Sequence, residues 1–379
     1  METSDRNIHQ SYWEIQSFLK GADLTVIGSG IVGLNAAISF KEKHPEARVQ
    51  VLEKGILPSG ASTKNAGFAC FGSVSELLDD LTHSSIEDVI SLAAKRFNGL
   101  RRLRDLLGDE NIGLKMQGGM ELFRPQDDAL FAKCMDHIEL FNEAFEELIG
   151  PDCFAVDDAS ISQFGFQGVQ HIIRNRFEGQ IDTGLMMRSL IDRAQRMGIT
   201  ILTGVNVRGI ESGNETVYID CNEHVFESGW CIVATNGYAS KLLDVPVSPA
   251  RAQVLITKPI NNLKVRGTFH YDAGYYYFRD IHDRILFGGG RNLDPEGETT
   301  AEYGLTDPIQ RSLETILKEV ILPDTDFEID HRWSGVMGVG KEKAPIIQEV
   351  MPNVVCAIRM GGMGVALGSL TGKEAALLL

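Results

Sequence analysis

Gly28, Gly30 and Gly33 stand at the spacing G-x-G-x-x-G, directly after the apolar run Leu24-Thr25-Val26-Ile27 and directly before a helical pattern. Glu53 follows a second apolar run, Val49-Gln50-Val51-Leu52, and lies twenty residues past the last of these glycines. The first glycine permits a tight turn, the second lets the backbone approach a pyrophosphate, and the third lets helix and strand pack closely. Phosphates are favoured at the helix start, where N–H groups are free and the helix dipole is positive. Glu53 is placed to accept hydrogen bonds from a ribose 2′-hydroxyl and to repel a 2′-phosphate, which disfavours NADP. A plain strand–helix connector can carry the same glycines, but the flanking strand, helix and acid argue against that reading. The motif alone does not separate NAD from FAD.

A strand, a helix and a second strand from about 24 to 53 must hold this turn. Beyond it, Pro58–Gly67 is rich in small residues, as a loop approached by a flat ligand would be. Helical periodicity covers 74–82, 86–107 and 127–149, with a strand-like piece at Met116–Phe123. A strand pattern follows at Val169–Phe177, then Gly179–Thr183 and a helix over 184–197. Residues 199–237 read as a second cofactor-binding unit. It has strands at 200–203, 206–210, 216–221 and 224–227, then the apolar Cys231–Thr235 ending at Asn236-Gly237, a turn signal at a strand's carboxyl end. Strands are expected at 251–258, 274–279, 284–289 and 328–336, with a helix around 307–319. The glycine-dense stretch Met360–Gly368 leads into a last helix. The expected fold class is α/β, with a cofactor domain assembled from 1–75, 182–247 and 333–379. An α+β substrate domain on a largely antiparallel sheet, 76–181 and 248–332, is inserted into it.

At 379 residues the chain exceeds one ordinary core, and 43% hydrophobic with 23% charged residues describes a soluble globular protein. A net charge of −16 opposes binding to nucleic acid or anionic lipid. Cys70, Cys134, Cys153, Cys221, Cys231 and Cys356 form no C-x-x-C, so buried thiols fit better than a metal or disulfide framework; Cys221 and Cys231 either face each other across a hairpin or are two core thiols. Nine dispersed histidines without H-x-x-x-H spacing give no metal centre. Met1–Asn7 has neither the charged nor the apolar region of a signal peptide, and no run of 18 apolar residues occurs. A cytoplasmic protein without an integral membrane segment is expected. The ending Ala-Ala-Leu-Leu-Leu lies within a helical pattern, consistent with a natural terminus further on. The apolar residues Tyr12, Trp13, Ile15, Phe18 and Leu19 fit a helix packed on the surface.

Five stretches together resemble the D-amino-acid-oxidase-type flavoprotein family, which includes the glycine and sarcosine oxidases, and within it most nearly the γ-glutamylputrescine-oxidase-like branch. They are Ser11-Tyr12-Trp13; the glycine turn through Glu53; Gly60–Gly67; Ala234–Tyr238; and His331–Gly335 with Gly361–Leu367. The resemblance implies a Rossmann-like FAD-binding domain and bound FAD. Carried over residue by residue, Gly28, Gly30, Ile31, Val32 and Gly33 surround the pyrophosphate, with Glu53 and Lys54 at the adenosine ribose. Ser62 and Thr63 match a phosphate-touching loop, and Lys64-Asn65-Ala66-Gly67 runs under the isoalloxazine. Val205 matches a residue whose backbone meets the adenine. Gly362, Met363 and Gly364 match the turn whose amides face flavin N1 and O2, and Ala234, Thr235, Asn236, Gly237, Gly335, Gly361 and Val365 complete the cofactor set. A helix N-terminus there also suits the negative charge of a reduced flavin. This chain departs from the family in carrying Met363 where a histidine is frequent, and Met337 and Gly362 where arginines hold a substrate carboxylate. With no cysteine around Val336–Met337, the flavin is expected to be noncovalent.

The resemblance implies oxidation of a C–N bond by hydride transfer to flavin N5, on a small amine or N-substituted amino acid. Tyr275 and Tyr277 share one face if 274–279 is a strand, and Tyr275 matches a substrate-contacting tyrosine; these aromatics serve equally as the core of a sheet. Met337 and Met363 complete the proposed substrate side, while Met116 and Met120 read as core or lining. Lys64 holds flavin or a carboxylate, or is simply solvated. Arg279 and Arg291 read as surface or salt-bridged charges, and His331 as a core histidine. Leu286 or Phe287 replaces a lysine that assists oxygen reactivity, which weakens the case for an oxidase and raises that for a dehydrogenase, the electron acceptor being O2 or a carrier. The alternatives are an FAD-dependent 2-hydroxy acid dehydrogenase, a non-catalytic flavin-binding protein, and an NAD-dependent dehydrogenase. The small-residue loop at 60–67 and the glycine-dense C-terminal stretch argue against the last of these.

Overall fold

The strand Ala22–Ile27 is buried along nearly its whole length, as a central strand covered on both faces must be. A computed structural model describes residues 10–221 and 224–379, and Met1–Asn7 lies outside them. Ala22–Ile27 pairs in parallel with Val49–Leu52 on one side and Val225–Val233 on the other. The sheet continues through Thr200–Leu202 at one end and Val354–Ile358 and Ile346–Met351 at the other. Val207–Ser212 and Val217–Cys221 form a hairpin beside Val225–Val233. The helices Ile31–Lys43 and Gly364–Leu377 pack so closely that a Cβ on Gly372 would lie 2.4 Å from the Val32 carbonyl oxygen.

The described chain divides into two compact units. One comprises the residues up to Thr63, Gly184–Pro249 and Met337–Leu379; the other comprises Lys64–Thr183 and Ala250–Val336. Residues 64–75, expected in the cofactor domain, therefore fall in the second unit. The reason is local: Phe68–Ala69 pairs antiparallel with Gly179–Gln180. The second unit is built on a mixed sheet in which Arg284–Gly289, Tyr276–Ile281 and Thr268–Tyr271 are antiparallel neighbours, and Thr268–Tyr271 runs parallel to Gly119–Phe123. One face of this sheet holds Phe269, Tyr276, Phe278 and Phe287, packed with Ile309, Leu313 and Leu317 from the region of the helix Asp307–Ile316.

Several expectations need correction. The pieces at 224–227 and 231–235 belong to one strand, Val225–Val233, and the strands Thr268–Tyr271, Ile346–Met351 and Val354–Ile358 were not anticipated. Tyr12, Trp13 and Phe18 are exposed rather than packed, while Leu19 packs against a core. His331 is exposed, because its strand position turns it to solvent while Ser334 and Val336 turn inward. All six cysteines are buried free thiols. Cys221 and Cys231 do not pair across the hairpin, since Asp220 already aligns with Val225.

The second unit also buries a cluster of acids that the sequence did not announce. Glu121 is 3% exposed, and its carboxylate accepts from the Ser75 N–H at 3.3 Å and from the Ser75 hydroxyl. Burial pushes the Glu121 carboxyl from the ordinary 4.5 up to about 7, with Glu76 adding to the rise and Ser75 and His270 opposing it. The native state therefore binds more protons than the unfolded chain between these values, and stability falls as pH rises through that window. Glu121→Gln removes the ionisation. Its stability relative to the parent should increase from pH 5 to pH 8 by up to about 3 kcal/mol, read from urea midpoints at the two pH values.

Candidate active site

In the first unit, three strands end at one edge of the sheet. There Gly28 N–H donates to the Leu52 carbonyl at 2.8 Å and Ala234 N–H to the Ile27 carbonyl at 2.9 Å. Carboxyl ends of parallel strands are where open α/β sheets bind ligands. Gly28 has φ +102°, a conformation that favours glycine, and a Cβ there would sit 2.9 Å from the Ala234 carbonyl oxygen. A Cβ on Gly33 would lie 1.9 Å from the Gly28 carbonyl oxygen, which no side chain can satisfy. Gly30 opens the helix Ile31–Lys43 as its N-cap without a capping side chain of its own. The Ser62 hydroxyl supplies the acceptor instead, taking the Ile31 N–H at 2.9 Å.

Glu53 is buried at the end of Val49–Leu52. Its carboxylate accepts from the Ser29 N–H at 3.1 Å, the Ser29 hydroxyl at 2.6 Å and the Gly55 N–H at 2.9 Å. Ser29, an unassigned position inside the glycine motif, thus locks the acid against the turn. Val205 joins the same corner, its N–H donating to the Glu53 carbonyl at 2.8 Å. Lys54 is exposed. At the next strand end, Asn236 has φ +48° and its Oδ1 accepts from the N–H groups of Arg359 at 3.0 Å and Met360 at 3.2 Å. That ties Ala234–Gly237 to the glycine turn at 361–362, where both residues have positive φ. Met363 caps the helix Gly364–Leu377 without a side-chain hydrogen bond, so the first turn presents backbone donors. Met337 lies in the same unit, its Sδ 3.6 Å from where a Cβ on Gly362 would be.

These features fit an adenine dinucleotide. Two helix starts carry no capping side chain of their own, a carboxylate sits at the strand end, and the buried Thr235 Oγ1 has no hydrogen-bond partner in the protein.

In the second unit, Lys64-Asn65-Ala66-Gly67 is clamped at each residue. Trp333 Nε1 donates to the Lys64 carbonyl at 2.9 Å, and Asn65 Oδ1 accepts from Gly67 N–H and the Thr183 hydroxyl, both at 2.9 Å. The Ala66 carbonyl accepts from Arg279 Nε, and the Gly67 carbonyl from Ile181 N–H at 2.8 Å. Gly335 belongs here as well, since a Cβ on it would lie 3.1 Å from the Lys64 Cβ. Lys64 Nζ stands 4.9 Å from the Tyr303 ring centre, within cation–π reach.

Ala66, Leu286 and Val254 form an apolar patch with Phe68, Tyr277 and Trp333. Tyr277 lies across Gly288, where a Cβ would meet its ring at 2.6 Å, and burial pushes its phenol up to about 12. Tyr275 precedes the strand that carries Tyr277. The turn Asp272-Ala273-Gly274, with three positive φ values, delays the strand to Tyr276, and Tyr275 is 48% exposed. Met120 is core and Met116 is exposed. Arg291 is partly buried. Arg279, expected at the surface or in a salt bridge, is 2% exposed and hydrogen-bonded to the loop.

A sheet whose strand ends carry this glycine turn and acid is a dinucleotide-binding arrangement. The model of the FAD dependent oxidoreductase family, DAO, matches residues 23–378, and the chain belongs to that family. It is thus an FAD-dependent oxidoreductase of that family. It is 22% identical over 387 residues to a probable oxidoreductase, OrdL, of Haemophilus influenzae, with 94% of this chain and 82% of that one covered. Among solved structures, an L-proline dehydrogenase from P. horikoshii superposes with a TM-score of 0.75 at 17% identity, covering 95% of this chain and 93% of that one. The glycine oxidase of Geobacillus kaustophilus gives 0.73 at 18% identity, covering 93% and 92%. Among the described residues, no helix is long and apolar enough to cross a membrane, and no group of three or more His, Cys, Asp or Glu could hold a metal ion.

Proposed function

We propose that the protein oxidises the C–N bond of a small secondary amine or N-substituted amino acid and passes the electrons to a carrier. The observation that carries this reading is the apolar, aromatic patch of Ala66, Phe68, Tyr277, Leu286 and Trp333. A neutral amine suits such a surface, whereas a 2-hydroxy acid needs a general base beside its hydroxyl. Met337 and Met363 offer no charge to a carboxylate. His331 is exposed, and His270 is buried with its ring edge-on to Phe68 at 5.2 Å.

In the first unit, Gly28, Gly30, Ile31, Val32, Gly33, Ser62 and Thr63 are proposed for the pyrophosphate, Glu53, Lys54 and Val205 for the adenosine. Ala234–Gly237 and Gly361–Val365 are proposed for the amide-lined end. In the second, Lys64–Gly67 and Gly335 are proposed to support the flavin, and Tyr277 to line the substrate side. Bound FAD supplies the acceptor for the hydride that leaves the carbon beside nitrogen. The protein's own task is then to exclude water, hold that C–H in line and admit the amine in its neutral form. Loss of the hydride and of the nitrogen's proton leaves an imine, which water hydrolyses. Leu286 lies in the patch with Tyr277, whereas Phe287 belongs to the opposite core. A leucine at that place gives oxygen no cation, which supports a carrier as acceptor.

Anaerobic mixing of the holoprotein with paired substrates tests the reading. Secondary amines and N-alkyl amino acids should bleach the flavin absorbance, and 2-hydroxy acids should not; turnover with a dye acceptor should exceed hydrogen peroxide release in air. Bleaching by hydroxy acids alone would overturn it. No bleaching by any compound would favour a non-catalytic flavin-binding protein.

A further inference from the structure

Arg279 is buried, as Arg96 and Arg359 are, and what it holds is the loop Lys64–Gly67. It shares a face with Tyr277 on the strand Tyr276–Ile281, aligns with Thr268 and Leu286, and donates from Nε to the Ala66 carbonyl. A Cβ on Gly67 would lie 2.7 Å from Arg279 Nη2, so the glycine is what lets the guanidinium reach under the loop. Asp280 and Asp182 are the opposite charges that act on it. Asp280 is itself engaged by Arg266 at 3.2 Å, Gly267 N–H at 2.8 Å and Gln180 Nε2 at 3.3 Å. Burial outweighs both acids and lowers the guanidinium to about 10, still charged at neutral pH. A cation kept in a poorly solvated place has long reach, because little water screens it.

We propose that Arg279 is a positioning residue that fixes the loop Lys64–Gly67 through Ala66 and, by its charge beneath that loop, makes the bound flavin easier to reduce. This rests on the reading that the loop supports the flavin. The anionic character of the reduced ring is the property a buried cation favours.

Two variants separate charge from hydrogen bonding. Arg279→Gln keeps a donor for Ala66 but removes the charge, whereas Arg279→Lys keeps the charge. The two-electron midpoint potential of each holoprotein is measured by anaerobic titration with a chemical reductant. R279Q should shift the equilibrium about tenfold toward oxidised flavin, near 30 mV more negative, while R279K stays within about threefold of the parent. An R279Q potential within about twofold of the parent would overturn the proposal, as would R279K falling as far as R279Q. If R279Q retains no flavin, R279K decides: a parent-like potential supports the role of charge, and a tenfold shift contradicts it. Failure of the amine reading leaves this test intact, because no amine is used.

Discussion

Gly33→Ala should leave a protein that neither holds FAD nor folds stably. The added methyl would sit 1.9 Å from the Gly28 carbonyl oxygen, and that atom belongs to backbone in the middle of the proposed phosphate turn. Relief requires the helix Ile31–Lys43 to move off its strand, yet it is held by Gly368 and Gly372 of the C-terminal helix on its other side. The expected cost is about 3 kcal/mol. Gly60→Ala is the matching control. A Cβ there meets nothing within 4 Å, and the change should stay within about 0.5 kcal/mol. Chemical denaturation of the two variants, with flavin content measured on the same samples, checks the contrast.

Glu53→Ala is expected to weaken FAD binding more than any change at the surface of the same unit. It strands two backbone N–H groups and the Ser29 hydroxyl, all of which donate to this carboxylate. A charged hydrogen bond lost in a buried setting costs about 2–3 kcal/mol, roughly a 30- to 150-fold rise in Kd. Glu53→Gln keeps an acceptor oxygen and should recover part of that loss. Titration of the apo forms with FAD, followed by flavin fluorescence, gives the three constants. Equal affinities for parent and alanine variant would remove Glu53 from the adenosine corner.

The glycine turn and its acid were legible because their physics is local: a strand, a tight turn and a helix start must all occur within a few residues. The small-residue loop at 60–67 was legible for the same reason. Depth was not legible. Arg279 reads as a surface charge in any sequence, and only the strand pairing that carries it under Ala66 shows otherwise. Tyr275 reads as a strand residue beside Tyr277 because period-two alternation does not reveal where a strand begins, and the left-handed residues Asp272 and Ala273 delay that start to Tyr276. Val354–Ile358 is buried throughout, and a short, wholly apolar run carries no period that marks it as a strand. Glu121 was passed over because a lone glutamate between apolar residues gives no sign of the serine that holds it.

The most direct test of the whole account is competitive titration of the apoprotein with FAD, FMN and NAD. One FAD should bind per chain, released intact by acid. FMN, which lacks the adenosine half that Glu53 and Val205 would hold, should bind at least ~100-fold more weakly, and NAD should not displace FAD. Equal binding of FMN, or preferential binding of NAD, would contradict it.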